Sequence, residues 1–329
     1  MLYPFKLDLT RSRILHIEMD EPAFRAASFL DERILTPMTT GSWVSLAAFL
    51  EGAVAAQSER PLHFIFHTGH VGSTLVSRLL DESRRVLSLR EPLPLRTLAE
   101  VQDSLQGASP NAHQHMTGAS FSVLLSRFLA LWRRGFPMTE AVIVKATSSA
   151  ARIAPVLLDA TPDARAIYLN LRAELWLATL LAGENSSIDL RGHAPERMRR
   201  LAAQREAPVP AVETLSLGEL AALAWLAEST TQRDTLSRYP ERVLGIDFDA
   251  FLADVPDHLR RVIAHFELPV NPASLAQVVR SPVLMRYSKA PEHPYDAALR
   301  AAIIQDSRRR NREEILRGLR MLARLGVEF

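Results

Sequence analysis

The chain has 329 residues, 47% of them hydrophobic, a formal charge of +2 at neutral pH and no cysteine. That length and apolar content suit one large α/β domain or two small ones with a sizeable core, while the near-neutral charge excludes a wholesale nucleic-acid surface. Missing cysteines exclude disulfides and thiolate metal sites, no run approaches the roughly 18–20 apolar residues of a membrane span, and the opening MLYPFKLDLTRSR carries no signal-peptide pattern, so a soluble, cytoplasmic protein is expected.

Residues 1–60 read as an N-terminal extension packed on a main unit of 61–329. The extension opens with alternating apolar positions (Leu7, Leu9, then Ile14, Leu15, Ile17) that predict a strand or hairpin. A helix is expected from 42 to about 57, capped by Ser42, with Val44, Leu46, Ala47, Leu50 and Val54 inward. An apolar strand follows at 62–67, then a glycine turn, then a helix whose inner face is Leu75, Val76, Leu79 and Leu80. Further core strands are predicted at 85–89, 141–145, 166–171 and 242–248, with helices at 121–132, 150–158, 175–181 and 217–236 among them. Strands alternating with helices imply βαβ units and a mostly parallel sheet flanked by helices. Two polar stretches, near 102–120 and 183–215, read as lid segments. A long amphipathic helix from Asp296 is expected to break near 307–311.

The turn His67-Thr-Gly-His-Val-Gly-Ser-Thr74 carries the most information. Strand, glycine turn and helix N-terminus together aim backbone N–H groups at one point, where a phosphate can sit. The spacing is almost G-x-x-x-x-G-K-[ST], but His67 replaces the first glycine and Ser73 the lysine that grips the β- and γ-phosphates of ATP. A phosphate suits this loop and Mg-ATP does not.

Ligands on parallel sheets bind beyond the carboxyl ends of the strands. That edge gathers the glycine turn, Arg90-Glu91, Lys145 and Arg172. The chain holds only three lysines, Lys6, Lys145 and Lys289. Elsewhere arginine supplies the positive charge, so a retained ammonium marks a candidate site. Each of these residues also has an ordinary reading: Glu91 paired with Arg90 or Arg96, Lys145 as a strand end, Thr179 as helix packing. None of the ten histidines shows metal-ligand spacing, and His113 and His115 form the one close pair.

These motifs resemble those of the PAPS-dependent sulfotransferases (PAPS is 3′-phosphoadenosine 5′-phosphosulfate). The turn is similar to their 5′-phosphosulfate loop, P-[KR]-S-G-T-T. Residues 162–172 look like the strand ending in the arginine that meets the 3′-phosphate, 244–270 like the "YEDL…P…L…FLGLP" region, and Val142-Ile-Val-Lys145 like the strand ending in "K-x-P". The resemblance implies a three-layer P-loop-type α/β fold. It also implies a sulfuryl transfer from PAPS, leaving PAP, with no metal required. Thr68, Gly69, His70, Val71, Gly72, Ser73 and Thr74 would hold the donor, together with Arg172, Thr179 and Lys289. Glu91 would be the general base, as in the similar protein-tyrosine sulfotransferases.

Two departures stand out. His70 occupies the place of the loop lysine or arginine, so that catalytic role falls to it if it is protonated or donates a hydrogen bond, or else to Lys145 or Lys289. Thr179 falls one residue earlier than the family's serine. The acceptor would be a hydroxyl or amine of a small molecule, carbohydrate or peptide. The competing readings are a P-loop small-molecule kinase and a non-catalytic, nucleotide-binding relative.

Overall fold

In this computed structural model, residues 1–52, 60–107, 116–204, 211–270 and 272–327 are described. Strands β1 (Leu2–Asp8) and β2 (Arg13–Glu18) pair antiparallel as the alternation predicts, with Tyr3, Phe5 and Leu7 all turned into the core. A short helix, α1 (Glu21–Ala26), follows. The helix expected from Ser42 begins later. Residues Gly41–Ser45 instead form β3, adding to β2 with Leu15 opposite Trp43 and Ile14 opposite Val44. Trp and Val favour a pleated surface, and the Arg13 guanidinium stacks 3.9 Å over the Trp43 ring. The cap is Ser45, whose Oγ accepts from Ala48 N at 3.2 Å and starts α2 (Leu46–Glu51). The remainder of the expected helix, 53–57, lies outside the described residues.

The main sheet has five parallel strands: β4 (Leu62–His67), β5 (Val86–Arg90), β6 (Ala141–Lys145), β7 (Ala166–Asn170) and β8 (Val243–Asp247). Their order is β5-β6-β4-β7-β8. Every residue of β4, β5 and β6 is buried, as both faces of a parallel sheet are covered. Arg90 lies opposite Lys145, and Asn170 opposite Asp247, so the strand ends share one edge.

Helices occupy both faces. Helix α3 (Ser73–Asp81) leaves the glycine turn, and α4 (Leu93–Leu105) and α5 (Gly118–Trp132) follow β5. The predicted 150–158 helix divides into a 3₁₀ turn, Ser148–Ile153, and α6 (Ala154–Ala160). Helix α7 (Ala173–Leu181) follows β7. The segment expected to be a lid from 183 onward contains a 19-residue helix, α8 (Ser186–Gln204). Its Leu190, Ala194, Met198 and Leu201 are buried at helical spacing, despite Gly192 and Pro195. Helix α9 (Leu217–Arg238) opens with a Ser216–Glu219 capping box. Its fully buried Glu228 accepts from Arg197 and Arg200, which fastens α8 down.

Helices α10 (Phe248–Ala253), α11 (Val255–His265) and α12 (Pro272–Val278) precede the C-terminal pair. That pair, α13 (Ala297–Arg310) and α14 (Arg312–Arg324), breaks at Asn311, inside the expected interval. Asn311 Nδ2 and Ser307 Oγ donate to the Leu181 and Ala178 carbonyls, tying the break to α7. The side chains of the N-terminal sheet share a core with α4, α5 and one face of the main sheet. Of the other expected lid, 102–120, α4 and α5 take the ends; 108–115, with His113 and His115, lies outside the described residues. Among the described residues no helix is long and apolar enough to cross a membrane.

Candidate active site

The glycine turn is held from three sides. Thr68 N donates to the Leu169 carbonyl (3.1 Å), and Thr68 Oγ1 to Asn170 Oδ1 (2.9 Å). His67 Nδ1 accepts from Gly69 N (3.1 Å), which leaves the proton on Nε2 to donate to the Ala146 carbonyl (2.9 Å). Burial first, then the Lys145 charge, keep that imidazole well below its ordinary pKa and neutral. Trp176 Nε1 closes the third side by donating to the Gly69 carbonyl at 2.8 Å.

With the Gly69 amide spent on His67, the free donors begin one residue later. The N–H groups of His70, Val71, Gly72, Ser73 and Thr74 have no partner among the described residues. Helix α3 has no side-chain cap; its N-cap is Gly72, at φ 66°. Unsatisfied amides at a helix start favour an anion through both hydrogen bonding and the helix dipole. Thr74 is 2% exposed, and its Oγ1 is buried without a partner. Gly72 is required twice over, because a Cβ there would fall 1.8 Å from the Phe248 ring and φ > 0 disfavours any side chain.

Two strands away, Glu91 follows β5 at φ 54°. Its N–H donates to the Lys145 carbonyl (2.7 Å), and its Oε1 accepts from Lys145 Nζ (2.5 Å). Arg96 Nη2 lies 3.4 Å from Oε2. Burial pushes this carboxyl up, but Lys145, then Arg96 and Lys289, outweigh burial and hold it below the usual range. Burial also holds the Lys145 ammonium below its ordinary value, with Glu91 opposing. Arg90 points elsewhere. Its guanidinium is 1% exposed and binds Asp81, Ser77 Oγ and the Ala27 carbonyl, so it anchors α3 and leaves Glu91 to Lys145 and Arg96.

Arg172 follows β7 as the N-cap residue of α7, and it is exposed without a partner among the described residues. It lines a cleft of about 380 Å³ with Glu174, Leu175, Asp247, Asp249 and Arg308. Arg308 there grips Glu174 through two hydrogen bonds of 2.8 and 2.6 Å. Thr179 is not brought to the loop; its Oγ1 donates to the Leu175 carbonyl within α7 (2.7 Å). Lys289 is exposed, in the segment before α13. Among the described residues no three His, Asp or Glu side chains gather as metal ligands.

No family model matches the sequence, and no curated protein matches it. Solved structures do match. The chain is similar to the sulfotransferase domain from the curacin biosynthetic pathway at 14% identity and a TM-score of 0.43, covering 82% of this chain and 99% of that one. It is similar to sulfotransferase STF9 from Mycobacterium avium at 16% identity and a TM-score of 0.41, covering 80% and 78%. It is also similar to sulfotransferase STF1 from Mycobacterium tuberculosis H37Rv at 15% identity and a TM-score of 0.40, covering 78% and 76%. These three structures are sulfotransferases. At this level neither an activity nor a site residue follows from them.

The His70 imidazole is pushed below its ordinary value, by desolvation and then by the Lys289 charge, so it is largely neutral at pH 7. Two residues that hold the loop escaped the sequence reading. Trp176 reads as a core aromatic, yet its indole N–H fixes Gly69. Asn170 joins Thr68 to Ser229 and Gln232 of α9. No pattern in the sequence distinguishes either from a packing residue.

Proposed function

We propose that this chain is a PAPS-dependent sulfotransferase that moves a sulfuryl group to a hydroxyl or amine acceptor. The observation that carries the reading is the run of free amides from His70 to Thr74, with the orphaned Thr74 hydroxyl, in a loop without the ATP-gripping lysine. Buried polar groups in native proteins have partners, and a 5′-phosphate supplies acceptors for these. Bound PAPS supplies the sulfuryl group and departs as PAP, and no γ-phosphate calls for Mg²⁺.

The chain's own residues then have distinct tasks. The loop amides and the hydroxyls of Ser73 and Thr74 hold the phosphosulfate, and Arg172 extends the site toward the 3′-phosphate. Glu91, kept ionised by Lys145, takes the proton of the acceptor group as its bond to sulfur forms. Lys145 holds Oε1 of that carboxylate, and Oε2, which Arg96 meets at 3.4 Å, is the oxygen that takes the proton. Catalysis of this kind rests on positioning and on stabilising charge at the leaving oxygen.

The test is a melting curve with adenosine 3′,5′-bisphosphate in the presence of EDTA. At about a hundred times Kd, binding adds roughly 2.7 kcal/mol, which is a shift of several degrees. Absence of any shift, or a shift only with Mg-ATP, overturns the reading. Transfer of labelled sulfate to an acceptor panel then identifies the acceptor class.

A further inference from the structure

We propose that Asp31, supplied by the N-terminal segment, is a positioning residue for the transfer: it holds the Arg96 guanidinium between its own carboxylate and that of Glu91, and so keeps Glu91 free to take a proton. This deepens the sulfotransferase reading and rests on it. Strand β5 lies at the edge of the main sheet, so the backbone on its outer side needs partners from outside that sheet. Leu30 supplies them. Its N–H donates to the Arg90 carbonyl (2.7 Å), and its carbonyl accepts from Leu93 N (3.2 Å), which clips the chain on both sides of Glu91. The peptide between Arg90 and Glu91 is thus held at both ends, because its N–H donates to the Lys145 carbonyl at 2.7 Å. The Arg90 guanidinium adds a bond to the Ala27 carbonyl (2.8 Å).

Asp31 follows the clip directly and is 5% exposed. Its Oδ1 accepts from Arg33 N (3.2 Å) and Arg33 Nε (2.7 Å), at the start of the 3₁₀ turn Glu32–Ile34. The Arg33 guanidinium in turn lies 3.7 Å over the Phe29 ring, so the carboxylate is fixed in place. Its Oδ2 stands 3.8 Å from Arg96 Nη2, and that same nitrogen stands 3.4 Å from Glu91 Oε2. Arg96 Nε is buried with no partner among the described residues. One nitrogen is therefore shared by two carboxylates, and neither reaches the roughly 2.7–2.9 Å of a full charge-assisted bond. Closed onto Oε2, Arg96 would occupy the lone pair that has to accept the proton. Asp31 draws it back.

The charges around Glu91 give the sign of each change. Lys145 from β6, Arg96 from α4 and Lys289 from the C-terminal segment act on its carboxyl, and Glu91 itself acts on Arg33 and His70. A neighbouring cation favours the ionised carboxylate, and a neighbouring carboxylate opposes it. Removing the Asp31 charge therefore makes Glu91 a weaker base and lets Arg96 close on it. Removing the Arg96 charge makes Glu91 hold its proton to higher pH. The two substitutions break the same contact and move the base in opposite directions, which a loss of packing would not do.

The experiment compares wild type, Asp31→Asn, Arg96→Gln and the double variant. Asparagine keeps an oxygen for Arg33 and loses only the charge. Calorimetry with adenosine 3′,5′-bisphosphate should give all four proteins the same affinity, since these side chains hold the base and not the glycine turn. Single-turnover transfer at neutral pH should fall about three- to tenfold in Asp31→Asn, as expected for a weaker base. In the Arg96→Gln background the same substitution should lose at least half of that effect. Without any ligand, the Glu91 carboxyl carbon followed by NMR, assigned by its absence in Glu91→Gln, should titrate about one pH unit higher in Arg96→Gln than in wild type. In Asp31→Asn it should titrate lower. Full transfer in Asp31→Asn, an equal effect in both backgrounds, a Glu91 titration that does not move with Arg96, or bisphosphate affinity lost as fully as transfer overturns the proposal while leaving the sulfotransferase reading standing. If wild type neither binds the bisphosphate nor transfers sulfate, that reading falls and takes this inference with it.

Discussion

Glu91 and Lys145 are joined twice, main chain to main chain at 2.7 Å and carboxylate to ammonium at 2.5 Å. The double link fixes a side chain that sits at φ 54°, a conformation non-glycine residues seldom hold. It also sets the charge state of both groups. Glu91→Gln removes the proton acceptor and little volume. Nucleotide binding should persist while transfer falls by about 10²–10⁴. Lys145→Met instead strands a buried carboxylate, and loss of one partner of such a pair costs about 3–5 kcal/mol. The signature is a kinetic defect in the first variant and a lower melting temperature in the second.

The same pair predicts the acid limb of the rate profile. Because the Glu91 carboxyl is held below the ordinary carboxylate range, it stays ionised from neutral pH down through that range. Transfer measured against pH should keep its rate until the medium passes below the usual carboxylate pKa of about 4.3. Stability from this group follows the same sign: it is present above the unfolded pKa and is lost as pH falls through the folded one. A limb centred near pH 6 or 7 would assign the base to another group.

Gly72 offers a steric test. Alanine there meets the Phe248 ring and sits at φ 66°. The left-handed backbone costs about 1–2 kcal/mol and the overlap about 1–3 more. Gly72→Ala should lower the melting temperature and abolish the bisphosphate-induced shift. Because Phe248→Ala carries its own cavity cost of about 3–5 kcal/mol, the comparison is a cycle: Gly72→Ala should cost less stability in a Phe248→Ala background than in wild type. An equal cost in both backgrounds would show that Phe248 does not press on this turn.

The parallel sheet was legible because β4, β5 and β6 are buried throughout and read as apolar runs. The predicted 141–145 coincides with β6, and 62–67 with β4. The glycine turn was legible for the same local reason, as strand, glycines and helix start lie within one stretch. Features that depend on strand order were not. Glu91 and Lys145 are 54 residues apart, and only the adjacency of β5 and β6 brings them together. Helix α8 was hidden by Gly192 and Pro195, although its buried stripe was present in the sequence. Ser42 imitates a helix cap, and only pairing with β2 shows it to be a strand residue.

Trp176 links packing to the loop. Its indole donates to the Gly69 carbonyl from a fully packed position in α7. Trp176→Phe keeps most of the apolar volume and removes the donor. A buried acceptor left unpaired costs about 1–3 kcal/mol. Part of that cost should appear as weaker bisphosphate binding, because the loop loses one of its three supports. Calorimetry on the variant should show reduced affinity beyond its change in melting temperature. Unchanged affinity would mean that the other two supports fix the turn without it.

His63 predicts how the fold responds to acid away from the site. It is 5% exposed, stacks on Phe266 with ring centroids 5.1 Å apart, and accepts from Arg165 N at 3.2 Å. Burial, only partly opposed by Asp163, pushes its imidazole down to about 4 from an ordinary 6.5. Between those values the unfolded chain binds a proton that the folded chain refuses, so stability falls as pH drops. Each such proton contributes a slope of about 1.4 kcal/mol per pH unit, and His67, fully enclosed, adds to it in the same direction. His63→Asn can keep an acceptor for Arg165 N without titrating. Urea unfolding between pH 6.5 and 4.5 should therefore show the variant's slope shallower by about that amount. Equal slopes would mean that the ring is protonated in the folded state, with Asp163 outweighing burial.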